Sequence, residues 1–409
     1  MASECSILRA RVLFDDEMIN DGVVVMEGER IRATGPVERI SSENPDLADA
    51  IAQTPWRDAI IIPGLVDVHC HGGGGESFPN AETRDQAMVA VMEHRRHGTT
   101  SLVASCVTAA ADVLLRRGRL LGELSQDGEL AGVHYEGPFV SHERKGAQDP
   151  TFIIAPDPEL TRQLLEAAGG HAVTMTLAPE KDKAYGPGSV AEVLISGGAL
   201  PSWGHTDADP FKARHALEFS RECLARTPVA QRRSPRATVT HLFNGMRPLH
   251  HRDPGPIMEF LSDAARGGAV VEMICDGVHL DPELVHTVVE TVGRGSCVLV
   301  TDAMAACGMA DGSYVLGPQE VTVKDGIALL TKEDTIAGGT AHLLDCVRTA
   351  VQKGGIDLAD AVFMATAQGA AILGRSDIGS LESGCRADVL VLDEDLRALE
   401  VWFRGSRVE

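Results

Sequence analysis

The sequence predicts an α/β fold: a (β/α)8 TIM-like barrel with a small β-sandwich domain formed by the N- and C-terminal segments. Two observations lead to this prediction. Eight short apolar runs fill the middle of the chain, each followed by a polar loop and an amphipathic segment, as is typical of parallel strands joined by crossover helices. Both ends instead carry apolar runs separated by glycine and charged residues, which is typical of antiparallel strands and tight turns.

The predicted domain organisation follows from these two patterns. Residues 1–59 contain the runs ILRARVLF and GVVVMEGERIRATG, and residues 375–409 contain ADVLVLDEDLRALEVWFRG. We expect these two segments to pair into the β-sandwich domain. The barrel is then expected over residues 60–374, as an uninterrupted insert between them.

The barrel strands are predicted from the eight apolar runs, over residues 60–69, 99–107, 130–137, 172–180, 199–205, 237–244, 269–277 and 297–303. The intervening segments, such as DQAMVAVMEHRRHG, have helical periodicity and end in a glycine that can cap a helix. Alternating apolar residues over 313–336 predict an additional β excursion. Two more helices are expected near 341–353 and 358–371.

Composition limits the classes of partner. The chain has 409 residues and a formal net charge of −22, and an acidic surface repels nucleic-acid phosphates and anionic membranes. We therefore expect neither as a partner, and no apolar stretch approaches the roughly 18 residues of a membrane span. The nine cysteines form no C-x-x-C pair and are expected as reduced thiols, which favours a cytoplasmic location.

Polar residues recur at the predicted ends of the barrel strands: His69, His71, Glu136, His205, His241, Asp276, His279 and Asp302. The active site of such a barrel lies at the carboxyl ends of its strands, so these side chains are expected to converge. In PGLVDVHCH the H-x-H spacing places both imidazoles on one side of a strand. Imidazoles and carboxylates together are typical ligands of a divalent ion such as zinc or iron.

Several motifs resemble those of known enzymes. PGLVDVHCH and TDAM resemble the amidohydrolase superfamily, and the closer resemblance is to the N-acetylglucosamine-6-phosphate deacetylase family. It is carried by HYEGPFVSHERKGAQDP, GHTDA, THLFNGMRPLHHRDPG, CDGVHL, VTDAM and IAGGT, in order along the chain. The resemblance implies a metal-dependent enzyme of amino sugar metabolism. Its reaction would convert N-acetylglucosamine 6-phosphate to glucosamine 6-phosphate and acetate.

The resemblance also implies roles for individual residues. Glu136, His205 and His241 resemble the ligands of the principal metal, Asp302 resembles the catalytic base, and His279, the metal or both would polarise the acetamide carbonyl. The implied substrate contacts are Ala147, Gln148, Asn244, Gly245, Arg252, Asp276, His279, Ile336, Ala337 and Gly338. Arg252 resembles an arginine that reaches the phosphate across a dimer interface, which implies a homodimer.

Two departures leave details open. Gln148 stands where many members of the family have histidine; glutamine can donate and accept a hydrogen bond to a sugar hydroxyl, but it cannot carry a charge. His69 and His71 are replaced in some single-metal members, and their presence here leaves one or two ions per subunit as alternatives. Zinc is the first candidate for the ion, with iron or another divalent ion as the alternative.

The sequence leaves two rival functions and one rival residue role open. Another amidohydrolase could act on a cyclic amide or a different N-acetylated sugar, although no lysine stands at a strand end for the carboxylated lysine typical of the cyclic-amide enzymes. A non-catalytic sugar-phosphate-binding barrel would be expected to lack Asp302 or the metal ligands. Arg252 could instead pair with Asp253 on an exposed loop.

Overall fold

The computed structural model describes residues 5–409 and contains the two predicted parts. Both ends of the chain contribute to one seven-stranded sheet, the terminal sheet. Its strands, in spatial order, are Ser406–Arg407, Ala398–Phe403, Val389–Leu392, Ile60–Pro63, Cys5–Phe14, Glu17–Glu27 and Arg30–Pro36. The prediction that the two ends pair is therefore confirmed.

The strand Ile60–Pro63 joins the two ends of the chain. It pairs antiparallel with Val389–Leu392 and parallel with Cys5–Phe14, so the terminal sheet is mixed rather than purely antiparallel. The single strand predicted over 60–69 is consequently divided at Gly64, where a Cβ would lie 2.3 Å from the Thr100 hydroxyl. A glycine thus lets the chain pass from the terminal sheet into the barrel.

Two short helices, Val37–Glu43 and Ala48–Gln53, occupy part of the N-terminal segment, for which the sequence predicts strands alone. They cover one face of the terminal sheet, where Ile40 and Ile51 are buried against its valines. Each helix buries only one residue, so its apolar periodicity is too weak to distinguish it from a loop in the sequence.

All eight predicted barrel strands are present as neighbours in one parallel sheet. They are β1 Leu65–Cys70, β2 Thr99–Val107, β3 Gly132–Glu136, β4 Ala172–Leu177, β5 Leu200–Trp203, β6 Ala237–Val239, β7 Ala269–Met273 and β8 Cys297–Leu299. Backbone hydrogen bonds from Asp302 N to His69 O (2.9 Å) and from His71 N to Ala303 O (2.7 Å) bring the last strand back to the first. The (β/α)8 barrel is therefore confirmed.

Seven helices follow β1 to β7 in turn, and three more follow β8. They are Arg84–Arg96, Ala111–Gln126, Pro158–Ala167, Val190–Ser196, Pro210–Arg226, Ile257–Ala265, Pro282–Val292, Leu343–Gln352, Leu358–Ala365 and Ala367–Leu373. Three of them begin with an Asp-Pro pair, in which Asp157, Asp209 or Asp281 accepts a hydrogen bond from the first turn. No helix of residues 5–409 has the length and hydropathy needed to cross a membrane.

The predicted β excursion is a three-stranded antiparallel sheet made of Gly312–Leu316, Gln319–Lys324 and Ile327–Leu330. It lies between β8 and the final helices, and the loop after it returns to the barrel at Gly339, which is bridged to Ala303. This excursion therefore brings residues 334–338 to the same rim as the ends of the barrel strands.

Candidate active site and metal centre

The carboxyl ends of the barrel strands hold the polar residues that the sequence singled out. Glu136 ends β3, while His205, His241 and Asp302 follow β5, β6 and β8 within three residues. All four side chains border one cavity of about 350 Å³, which is large enough for a small molecule. Strands that are distant in sequence thus form one site.

Glu136, His205 and His241 form the first group of potential metal ligands. The Glu136 Oε1 atom lies 2.8 Å from His205 Nε2 and 2.9 Å from His241 Nε2, and the two imidazole nitrogens are 3.2 Å apart. All three side chains are buried. Atoms that bind zinc tetrahedrally at about 2.0–2.1 Å lie about 3.3 Å from one another, so this spacing fits a shared ion.

His69, His71, Glu136 and Asp302 form a second group, which shares Glu136 with the first. The His71 Nε2 atom lies 3.1 Å from both Glu136 Oε2 and Asp302 Oδ1, and His69 Nε2 lies 3.2 Å from His71 Nε2. The two oxygens of Glu136 therefore face different groups. Such an arrangement offers two adjacent positions for metal ions, with Glu136 between them.

The hydrogen bonds of the histidines show that their inward nitrogens suit a cation. His205 Nδ1 lies 2.8 Å from the carbonyl oxygen of Arg144, and a carbonyl only accepts, so Nδ1 carries the proton. In neutral His205 the Nε2 lone pair then points at a carboxylate oxygen of Glu136. His71 repeats this pattern, with Nδ1 3.2 Å from Ser105 O. A metal ion satisfies two such opposed acceptors, and outer hydrogen bonds of this kind fix ligating histidines in many metal sites.

The surrounding charges keep both site carboxylates ionised. Burial acts to raise the pKa of Asp302, but positive charge on His69 and a hydrogen bond from protonated His71 hold that pKa below its ordinary value, and a cation bound in place of those protons would act in the same direction. Burial is likewise outweighed at Glu136, where His205 and His241 hold the pKa well below its usual range. Both groups can therefore act as ligands or proton acceptors at neutral pH.

The backbone at these positions is strained. His205, His241 and Asp302 have φ angles of 45°, 26° and 47°, in the left-handed region that residues other than glycine seldom adopt. Such strain concentrates at functional sites, where the surrounding structure holds the backbone in place. Gly245 is needed for a related reason: its φ is +60°, and a Cβ would lie 2.8 Å from His205 Nδ1.

Four loops contribute further residues to the cavity lining. Among the predicted substrate contacts, the residues that border the cavity are Ala147, Gln148, Asn244, Gly245, His279, Ile336 and Gly338. The His279 Nδ1 atom lies 2.7 Å from Asp276 Oδ2, so Asp276 supports His279 from behind. Burial acts to lower the pKa of His279, but the hydrogen bond and the charge of Asp276, together with the charge of Asp302, raise it.

Gln148 does not project freely into the cavity. Its side chain is buried, its Nε2 donates to Glu136 Oε2 over 2.7 Å, and its Oε1 accepts from the backbone N–H of Thr108, also over 2.7 Å. The residue that departs from the family pattern is thus engaged with a candidate metal ligand.

Three predicted contacts lie away from the cavity lining. Asp276 and the buried Ala337 stand behind it, and Arg252 is on an exposed loop, where its Nη1 lies 2.7 Å from His251 Nε2. The rival interpretation that Arg252 pairs with Asp253 is wrong, because Asp253 pairs with Arg247 instead, at 2.5 Å.

Sequence reasoning missed other site residues. Glu272 lies within β7, and its Oε2 is 3.0 Å from His69 Nδ1 and accepts from the backbone N–H of His241 over 3.2 Å. The only indication in the sequence was that Glu272 is an acidic residue inside the apolar run AVVEMI, where a charged side chain needs a polar partner. Asp334 and Thr335 also border the cavity, but only the folded excursion brings them there.

Comparison with known proteins identifies relatives over nearly the whole chain. The model of the amidohydrolase family matches residues 60–196 and 241–407. The N-acetylglucosamine-6-phosphate deacetylase of Bacillus subtilis is 32% identical, over 99% of this chain and 97% of the relative. The human enzyme of the same name is 30% identical, over 99% and 94%.

Solved structures agree with this result. A mutant of the N-acetyl-D-glucosamine-6-phosphate deacetylase of Mycobacterium smegmatis, in complex with N-acetyl-D-glucosamine-6-phosphate, is 36% identical, with a TM-score of 0.87 and 99% of each chain covered. The corresponding Thermotoga maritima structure is 25% identical, with a TM-score of 0.80 and the same coverage.

Proposed function

The chain belongs to the amidohydrolase family and, within it, to the N-acetylglucosamine-6-phosphate deacetylases, and we propose on this premise how its residues act. The enzyme is a metal-dependent amide hydrolase that converts N-acetylglucosamine 6-phosphate to glucosamine 6-phosphate and acetate. The observation that carries this function is the convergence of Glu136, His205, His241 and Asp302 on one cavity.

The metal ligands are proposed to be Glu136, His205 and His241, with His69 and His71 as ligands of a second ion that shares Glu136. A divalent ion bound there supplies Lewis acidity, which makes a bound water more acidic and polarises a carbonyl group. Zinc is the proposed ion, with iron as the alternative, because nitrogen and carboxylate ligands suit both.

Asp302 is the proposed catalytic base. Its carboxylate borders the cavity and is kept ionised by the neighbouring histidines, so it can accept a proton from the attacking water. The same group then carries that proton to the departing sugar nitrogen, which leaves as an amine. Asp302 thus serves as the base and then as the acid within one turnover.

His279 is proposed to donate a hydrogen bond to the acetamide oxygen. Its Nδ1 donates to Asp276, so Nε2 can donate toward the cavity when the ring is protonated, a state that Asp276 favours by raising the pKa of His279. A donor fixed in this way stabilises the negative charge that develops on the carbonyl oxygen during attack. Asp276 would therefore act through His279, and the loops at 147–148, 244–245 and 336–338 would hold the sugar.

Recognition of the phosphate is proposed to involve Arg252 of a neighbouring subunit in a homodimer. The support is that Arg252 is exposed and has no carboxylate partner within residues 5–409, although the chain carries an excess of acidic residues. Exposed apolar side chains of Leu249 and Met258 lie close to it in the sequence and are suited to an interface. A cytoplasmic location is proposed as well, supported by nine cysteines that are all free thiols.

The decisive experiment measures acetate release from N-acetylglucosamine 6-phosphate, its unphosphorylated counterpart and N-acetylgalactosamine 6-phosphate, with metal analysis of the same sample. We expect release to be fastest from the first substrate and to require at least one divalent ion per subunit. Equal rates on the phosphorylated and unphosphorylated sugars would contradict the substrate assignment.

A further inference from the structure

A second cavity lies at the opposite end of the barrel. Its volume is about 510 Å³, and its lining includes Thr100 and Ser101 at the start of β2, Ala131 just before β3 and His171 just before β4. The amino ends of the strands therefore form its floor, whereas the active site lies at their carboxyl ends. The edge of the terminal sheet forms another wall.

This basal cavity concentrates arginine in a chain of net charge −22. Five arginines line it: Arg30, Arg233, Arg375, Arg386 and Arg404. The lining includes three carboxylates, of which Asp377 pairs with Arg375 and Glu129 pairs with Arg95 outside the lining. The third, Glu29, is exposed.

Two of the arginines are not neutralised. All hydrogen-bond acceptors of Arg233 within the described part of the chain are backbone carbonyl oxygens, those of Gly198, Leu373, Gly170 and Ala172. A carbonyl satisfies an N–H group but does not cancel its charge. The guanidinium of Arg233 therefore remains a half-buried cation with no carboxylate partner among the described residues.

Arg404 is in the same condition. Its Nη2 donates to Gly128 O over 2.9 Å, and among residues 5–409 no carboxylate lies within ion-pair distance of its guanidinium. Arg386, by contrast, is paired with the buried Asp388. The uncompensated charge of the basal cavity therefore comes from Arg233 and Arg404.

The titration of neighbouring groups agrees with a positive potential in this cavity. Burial and then the charge of Arg375 lower the pKa of Arg233. Burial and then the charge of Arg233 lower the pKa of His171. Burial and, after it, one neighbouring cation disfavour the charged form of each group, and a bound anion would relieve the part of this cost that comes from the cation.

We propose that the basal cavity is a second binding site, separate from the catalytic one, for the phosphate group of a small phosphorylated molecule. Guanidinium groups match phosphate oxygens geometrically and in charge, with paired hydrogen bonds that a compact cation cannot make. The volume suits a ligand of this size. The competing explanation is that the arginines only join the terminal sheet to the barrel through backbone carbonyls, in which case phosphate would have no specific effect.

The test uses the double variant Arg30→Gln/Arg404→Gln of the full chain. Arg30 is largely exposed, its Nη1 donates to Gly384 O and lies 3.6 Å from Asp377 Oδ2, and Asp377 keeps its partner Arg375, so the loss of both arginines should leave the fold intact. The matched control is Arg57→Gln/Arg407→Gln, which removes two positive charges near the same sheet, both of which pair with Glu400 outside the cavity. All active-site residues stay unchanged in both variants.

Thermal unfolding is measured with increasing inorganic phosphate at constant ionic strength. A ligand that binds the native state raises the midpoint in a saturable way. We expect saturation in the wild type and in the control, and an apparent affinity at least tenfold weaker in the Arg30→Gln/Arg404→Gln variant. Repeating the titration with glycerol 2-phosphate distinguishes a preference for the free ion from a preference for an ester.

Two results would overturn the proposal: a wild type with no saturable response to either compound, or an Arg30→Gln/Arg404→Gln variant that responds as the wild type does. Acetate release without added phosphate serves as the check on folding in both variants, because neither pair of arginines borders the catalytic cavity. If the Arg30→Gln/Arg404→Gln variant retains its acetate release but binds phosphate more weakly, the arginines form a ligand site and do not have a purely structural role.

Discussion

The position, the orientation and the charge of the Asp302 carboxylate are each set by a different part of the structure. Its position follows from β8, its left-handed φ of 47° turns the carboxylate toward the cavity, and the nearby histidines hold its pKa low. The backbone conformation is fixed from both sides, since Asp302 N donates to His69 O and Gly339 N donates to Asp302 O. A change in the side chain alone should therefore leave this geometry in place.

The first prediction tests the base. Asp302→Asn should keep the fold and much of the substrate binding but lower kcat by roughly 10²- to 10⁴-fold, because an amide cannot accept the proton of the water. Acetate release and circular dichroism measure the two effects. The control is Asp157→Asn, a change of the same kind at an exposed helix cap. Near-normal turnover of the Asp302 variant would refute the mechanism.

The second prediction concerns the metal ligands. Glu136→Gln, His205→Ala and His241→Ala should each lower the metal bound per subunit after dialysis, because each removes an atom of the group that shares the ion. His215→Ala, at a partly exposed position of the helix Pro210–Arg226 and outside every group of potential ligands among residues 5–409, should retain the metal content of the wild type. Elemental analysis provides the measurement, and full metal content in all three ligand variants would show that the assignment is wrong.

At the scale of elements, the barrel was predictable and the loops were not. The eight strands were found because apolar runs buried on both faces alternate with amphipathic helices, a pattern set by local sequence. Glu272 was missed because an isolated acidic residue inside such a run does not identify its partner, which is 203 residues away at His69. The contribution of Asp334 and Thr335 depends on how the excursion folds back, which is a tertiary property.

The third prediction tests a helix cap. Asp157 Oδ1 accepts hydrogen bonds from the backbone N–H groups of Glu159 and Leu160, at 2.8 and 3.3 Å, at the start of Pro158–Ala167. Asp157→Ala should lower the free energy of unfolding by about 1 kcal/mol. Asp157→Asn restores an acceptor and should recover most of the loss. Urea denaturation measures both, and equal destabilisation by Ala and Asn would rule out capping as the cause.

For the molecule as a whole, the net charge of −22 opposes a phosphorylated substrate. Binding of the phosphate must therefore depend on a few hydrogen-bond donors directed at it rather than on the electrostatic field of the whole protein. Two places at which arginines lack a carboxylate partner among residues 5–409 are the exposed loop of Arg252 and the basal cavity of Arg233 and Arg404. These two places are consequently where phosphate should have its strongest effects.

The fourth prediction addresses Arg252. Arg252→Ala should raise KM for the phosphorylated sugar at least tenfold, about 1.4 kcal/mol of lost binding, because a charge-assisted contact disappears. The weak activity on the unphosphorylated sugar should hardly change, which makes that sugar an internal control. Arg214→Ala removes an exposed arginine that pairs with Glu259 and should leave both values as they are. Equal KM values in the wild type and the Arg252 variant would leave the phosphate without this partner.

The fifth prediction asks which subunit supplies the arginine. Arg252→Ala subunits mixed with Asp302→Asn subunits give heterodimers in which, if Arg252 reaches across, one site has both an intact Asp302 and an intact Arg252. The other site has neither residue. Random exchange makes half of the dimers mixed, and each mixed dimer has one active site out of two. Activity at low substrate should therefore rise on mixing, toward about one quarter of the wild-type value. If Arg252 acts within its own subunit, no site in the heterodimer is complete and mixing restores nothing. Subunit exchange is verified by native mass spectrometry, so that a lack of recovery counts against cross-subunit binding.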